Sequence, residues 1–226
     1  MISTKNIPTG GGGGVPKVIQ PGNVIAKILG VELEPFKFKE GAEFLVLMLE
    51  TEPIGGDFDG FAVDKDDPTG PKHKGQIARV KTNEYAYADS TTKTGINISK
   101  ETEIVKILKN LCVALDCVSW LEEQDGKHAT VKSLVEAFNI DQPFKDVYLN
   151  WCIAGKEYQG KTGYTNYDTF LPKFSKTGVP FEAVGVKASK LIAYNPTEHI
   201  RKKKTENVSS FSGDTGSDIV NSDFEI

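Results

Sequence analysis

The stretch VYLNWCIAGKEYQGKTGYTNYDTF, residues 147–170, decides between the two architectures open to this chain. Val147 to Tyr158 and Gly163 to Phe170 are both rich in β-branched and aromatic residues, and Gln159-Gly160-Lys161-Thr162 between them reads as a hairpin turn. Residues 155–162, Gly-Lys-Glu-Tyr-Gln-Gly-Lys-Thr, also satisfy the phosphate-loop pattern G-x-x-x-x-G-K-[ST]. That pattern works only where a strand enters and a helix leaves, because the helix N-terminus and the loop N–H groups together cradle phosphate. Here Gly163, Tyr164, Tyr167, Phe170 and Pro172 follow, which are residues of a strand ended by a breaker. The spacing therefore predicts strand–turn–strand, and the phosphate loop is rejected. The run from Cys112 to Asp116 imitates a second nucleotidase motif, but it precedes the first and lies on a helical stripe.

Towards the N-terminus, Thr130 to Phe138 carries a short apolar stripe (Val131, Leu134, Val135, Phe138). Before it, Ile104, Ile107, Leu108, Leu111 and Leu115 recur at helical spacing behind Ser99, a capping residue with Thr102 and Glu103 in the opening turn. Strands are expected further back. Asn23 to Leu33 alternates, Glu34 to Gly41 is a turn containing Phe36-Lys37-Phe38-Lys39, and Phe44 to Glu50 is a near-continuous apolar run. A long loop punctuated by Gly55-Gly56, Gly60 and Asp66-Asp67-Pro68 leads to Gln76–Ala88, which alternates again. Phe181 to Ile192 reads as a last short strand or as loose packing. Strands, then a helical insertion, then a hairpin is not βαβ alternation. The expected fold is mainly β with a helical insertion (α+β): an OB-fold-like Greek-key barrel with a disordered N-terminal arm and an acidic C-terminal tail.

Residues 1–22, with five consecutive glycines (Gly10 to Gly14) among Pro8, Pro16 and Pro21, read as a flexible arm. Residues 23–195 form the domain, and 196–226 a basic linker with a disordered acidic tail rich in Ser, Gly, Asp and Asn. In 226 residues no apolar run reaches the roughly 20 needed to span a membrane. The first residues, MISTKNIPTGGGGG, lack a signal-peptide core, and three cysteines argue against a disulfide scaffold, so a cytoplasmic, reducing setting is expected.

The net charge of −4 is unevenly laid out. Residues 1–150 hold 17 Lys+Arg against 22 Asp+Glu, residues 151–204 hold 10 against 4, and residues 205–226 none against 5. A basic segment followed by an acid-only tail points to a polyanionic partner and a tail that competes for the same surface. A solvated face with a solubilising tail is the plainer alternative.

Metal and catalytic readings are weak. Cys112 and Cys117, with His128 beyond them, lack the tight pairs and four ligands of a zinc site and read as buried thiols. The acids Asp57, Asp59, Asp64, Asp66 and Asp67 lack the ligand ladder of a calcium loop. No metal, cofactor or catalytic centre is expected.

Interleaved cations and rings are the stronger signal. Single-stranded nucleic acid is held by rings that stack on base faces and cations that follow the backbone. The candidates are Arg79, Lys81, Tyr85 and Tyr87 in the third strand, and Lys156, Tyr158, Lys161, Tyr164, Tyr167 and Lys173 around the hairpin. Alternation places Tyr85 with Tyr87, and Lys156 with Tyr158, on common faces. At the end of the tail, Phe224 and Ile226 are expected to enter a partner's pocket while Asp223 and Glu225 meet its basic rim.

The run Phe44–Glu50, the stretch Gly75 to Thr82, Glu123-Gln124-Asp125-Gly126-Lys127, and Ile153 to Tyr158 through Phe170-Leu171-Pro172 together resemble phage-encoded single-stranded DNA-binding proteins, most nearly those of the crAss-like group. The resemblance covers about residues 20–182. It implies an OB-fold that coats DNA during replication and recombination in an infected bacterial host, with a tail recruiting replication or recombination proteins. It leaves a homo-oligomer open. The chain departs from the family's usual ending, because Glu225-Ile226 follows Phe224. The competing readings are a virion or scaffold protein with flexible assembly tails and a nucleotide hydrolase using Gly155 to Thr162.

Overall fold

A computed structural model describes residues 19–52, 76–159 and 165–202. The expected arm lies almost wholly outside the described residues, as do the acidic loop of Asp57 to Asp67, the hairpin tip with Lys161 and Tyr164, and the tail with Asp223, Phe224, Glu225 and Ile226.

The chain is mainly β. Strands β1 (Gly22–Pro35), β2 (Glu43–Thr51) and β3 (Ile77–Lys81) come first, then a small ribbon of β4 (Ser90–Thr91) and β5 (Asn97–Ile98). Helices α1 (Lys100–Ala114), α2 (Val118–Glu123) and α3 (Val131–Asp141) follow, then β6 (Tyr148–Gln159), β7 (Thr165–Phe170), β8 (Phe181–Ala183), α4 (Pro196–His199) and β9 (Ile200–Arg201). The sheet runs β1-β2-β3-β7-β6 and closes because β6 also pairs with β1. The result is a five-stranded barrel, antiparallel except where β3 meets β7. This is the mainly-β, OB-like class expected from the sequence.

One strand can serve two neighbours because it bends. β1 pairs with β6 over Gly22–Lys27 and with β2 over Ala26–Pro35, and the register slips between Ile28 and Gly30. The extra residue bends the strand and turns the barrel's corner. Past Lys27 the backbone of β1 has no β6 partner, and α3 supplies one. Asn139 Nδ2 donates to the Val31 carbonyl (2.6 Å), and its Oδ1 accepts from the Val31 N–H (2.9 Å).

Alternation decides which residues face in. Leu45, Leu47 and Leu49 of β2, Ala78 and Val80 of β3, and Leu149, Trp151 and Ile153 of β6 fill the barrel with Ile28 and Val31. The helical stripe completes the core: Ile104, Leu108, Leu111 and Cys112 of α1 join Val131, Leu134, Val135 and Phe138 of α3. Ser99 caps α1 by accepting from the Thr102 N–H, and Thr130 caps α3 by accepting from that of Ser133.

The packed unit is wider than residues 23–195. Ile19 is buried in the core, and β9 pairs with β6 in parallel at Gly155 and Lys156. Helices α2 and α4 and the β4–β5 ribbon had no clear signal in the sequence. The third strand is also shorter than its alternation predicts. Thr82 still bonds to the Leu45 carbonyl, and Tyr87 pairs with Glu43, but residues 83–86 loop out between them. Among the described residues no helix is long and apolar enough to cross a membrane.

Candidate nucleic-acid interface

The barrel's outer face carries a cleft of about 620 Å³. Its floor is the rings of Phe44 on β2 and Phe170 on β7, with Lys81 of β3 between them in the ladder. Lys156 of β6, paired in register with Asp168, forms one wall. The β1–β2 loop forms the other and brings Phe36, Lys37, Phe38 and Lys39. Three rings climb from floor to rim: Phe36 meets Phe44 edge-on at 5.4 Å and Phe38 at 5.5 Å. The loop is tied down by Phe36 N–H to the Ala42 carbonyl (2.8 Å) and by Gly41 at φ 74°, where a Cβ would be strained. Lys100 at the start of α1 donates to the Gly41 carbonyl and to Glu43.

Phe38 is 88% exposed at the rim, and Tyr85, on the looped-out segment that also lines the cleft, is 63% exposed. Single exposed rings are ordinary, but here both line the same cleft as the rings below them, and apolar surface gathered in one place marks interaction sites. Lys173 Nζ stands 6.0 Å from the Tyr85 ring, and Lys81 Nζ stands 4.5 Å from that of Phe44.

The sequence candidates divide. Tyr85, Lys81 and Lys156 line the cleft, and Lys173 borders it at Tyr85. Tyr158 is exposed further along β6 on the same face as Lys156. Arg79 shares the outer face of β3 but is held by Glu32 and Glu34, the latter at 3.1 Å. Lys81 is likewise held by both carboxylate oxygens of Asp168, at 2.7 and 2.9 Å. Tyr87 does not share a face with Tyr85, because the loop between them breaks the alternation. Its hydroxyl bonds Thr82 at 3.0 Å, and burial pushes its pKa up to about 12. Tyr167 faces the opposite way from Lys156 and Tyr158 and packs over Gly155, where a Cβ would come within 3.1 Å of its side chain. Lys161 and Tyr164 fall outside the described residues.

Sequence reasoning missed Phe36, Lys37, Phe38 and Lys39 as part of the site. The signal was present, since the FKFK turn is itself interleaved cation and ring.

The phosphate-loop pattern has the wrong context. Gly155–Gln159 belong to β6, and the chain resumes at Thr165 as β7 rather than as a helix. Comparison of the chain with family models, with curated proteins and with solved structures returned no match.

The cysteines lie apart from it. Burial pushes Cys112 up to about 12 and Cys152 up to about 11, and it raises Cys117 as well. His128 Nε2 is engaged by Gln124 at 3.0 Å, and among the described residues no three His, Cys, Asp or Glu side chains are placed to hold a metal. Thiols held in the protonated form are poor nucleophiles, so Cys112 and Cys152 are expected to react with a disulfide reagent at neutral pH only as fast as the chain unfolds. The same groups set an alkaline limit. Each folded pKa lies above its unfolded value, so their contribution is complete below about pH 9, the ordinary thiol range, and is lost as pH rises towards 12. Urea midpoints measured across that range should fall steadily.

Proposed function

We propose that this chain is a non-catalytic OB-fold protein that binds single-stranded DNA through the cleft on its outer face. The observation that carries the reading is the pair of exposed rings, Phe38 and Tyr85, lining one cleft with Phe44 and Phe170 and bordered by lysines. Stacking on ring faces needs unpaired bases, which a duplex does not offer, while lysines beside the rings suit the phosphates between bases. The barrel order and the helical block between its third and fourth strands support assignment to the OB-fold, whose ligands lie over the second and third strands and adjoining loops. The resemblance to phage single-stranded DNA-binding proteins agrees with this reading and extends it to coating DNA in replication and recombination. On the same reading the acidic tail, through Phe224 and Ile226, recruits replication or recombination proteins.

Fluorescence polarisation with labelled oligo-dT at two salt concentrations tests the proposal. Among the described residues Lys37, Lys39, Lys156 and Lys173 have no carboxylate within ion-pair distance. About four phosphate contacts give a slope of log K against log salt of about −3 for a single strand. Absence of binding at low salt, or tighter binding to duplex, would falsify it.

A further inference from the structure

The two cations at the centre of the outer face are already paired. Lys81 is held by Asp168, and Arg79 by Glu32 and Glu34. Asp168 stands on β7, which pairs with β3, while Glu32 and Glu34 stand on β1, one strand beyond β3's other neighbour, β2. Every cation that β3 presents to the cleft side is thus neutralised within the chain. Among the described residues, Lys37 and Lys39 on the loop, Lys156 on the wall and Lys173 beside Tyr85 have no carboxylate within ion-pair distance.

This arrangement treats two ligands differently. A single strand can place its bases on Phe38, Tyr85 and the ring floor while its phosphates meet the peripheral lysines. It need not displace Asp168, Glu32 or Glu34. A duplex keeps its bases stacked inside and offers only phosphate. It carries one charge per roughly 1.7 Å of axis, twice the density of one strand, so carboxylates on the face repel it more strongly.

Resting on the single-strand reading of the cleft, we propose that Asp168, Glu32 and Glu34 are specificity-determining residues that exclude duplex nucleic acid from this face. They do so by occupying the cations a duplex would need and by adding repulsion that ring stacking offsets only for a single strand.

The test is a set of polarisation titrations on the full-length protein, Asp168→Asn and the double variant Glu32→Gln/Glu34→Gln. The probes are labelled oligo-dT and a blunt duplex of equal length, each at several salt concentrations. Asp168→Asn frees Lys81. Duplex affinity at low salt should rise about tenfold and oligo-dT affinity about threefold or less. The salt slope should steepen by about 0.9 for duplex and about 0.7 for single strand. The glutamate variant should act in the same direction through Arg79, and it carries the test if Asp168→Asn fails to fold. If the native protein binds oligo-dT but neither variant narrows the preference for it over duplex, this inference is wrong and the single-strand reading stands. If the native protein binds neither probe at low salt, the reading falls and the inference with it.

Discussion

Replacing Phe38 and Tyr85 together by Ala is expected to weaken oligo-dT binding by about thirtyfold or more. Each ring removed from a stacked base costs about 1–3 kcal/mol, and these two stand on different segments of the cleft lining. The fold should be indifferent to the change, since both rings are mostly in water, at 88% and 63% exposure. Thermal melting should therefore stay close to that of the native chain. Tyr87→Phe is the contrast. Tyr87 is turned inward and bonded to Thr82, so loss of its hydroxyl should cost about 1 kcal/mol of stability and leave affinity unchanged. If Tyr87→Phe impairs binding and the Phe38/Tyr85 pair does not, the cleft has been assigned to the wrong rings.

The largest expected effect on stability is at Trp151. Its side chain is fully buried in the barrel, its ring lies 5.2 Å from that of Phe181, and its indole N–H donates to the Ala26 carbonyl at 2.8 Å. Trp151→Ala opens a cavity that costs about 3–5 kcal/mol and strands a buried carbonyl besides. Against a total of about 5–15 kcal/mol, that leaves little or no folded protein at 37 °C. Trp151→Phe keeps most of the ring contact and loses the hydrogen bond, so it should cost less, about 1–3 kcal/mol. Urea denaturation of the three proteins separates the two contributions. Equal losses for Phe and Ala would mean that the hydrogen bond, not the volume, holds this part of the barrel.

The strands that close the barrel were legible where one face is dry. Phe44 to Glu50 reads as a strand because its apolar run leaves no solvated side, and Val147 to Tyr158 because bulky β-formers fill it. The helices showed themselves through spacing and caps: Ser99 and Thr130 stand where the structure has them accepting from N–H groups in the first turn. Local chemistry writes these features into neighbouring residues, and reading neighbours suffices to find them.

The third strand shows where that reading fails. Tyr85 and Tyr87 stand two apart, as residues on one strand face do, yet the chain leaves the ladder after Thr82 and rejoins it at Tyr87. Whether an alternating segment stays in a ladder depends on the strand opposite, and Glu43 and Leu45 are some forty residues away. The FKFK turn failed for a related reason. Its composition matched the site, but only the position of the β1–β2 loop beside Tyr85 and Lys156 makes it part of one.

By itself, then, the sequence determined the long strands and helices, much of the inward set of core residues, the strands on either side of residues 160–164 and a surface mixing lysines with rings. All of these follow from periodicity and propensity within a few residues. The tertiary structure decided the rest: closure of β1 on β6, the pairing of Lys81 with Asp168 and of Arg79 with Glu32 and Glu34, the burial of Tyr87, and the gathering of Phe38 and Tyr85 into the lining of one cleft. Each of these joins residues far apart in the chain. Such contacts are set by register and by the bend in β1, and no local pattern encodes them.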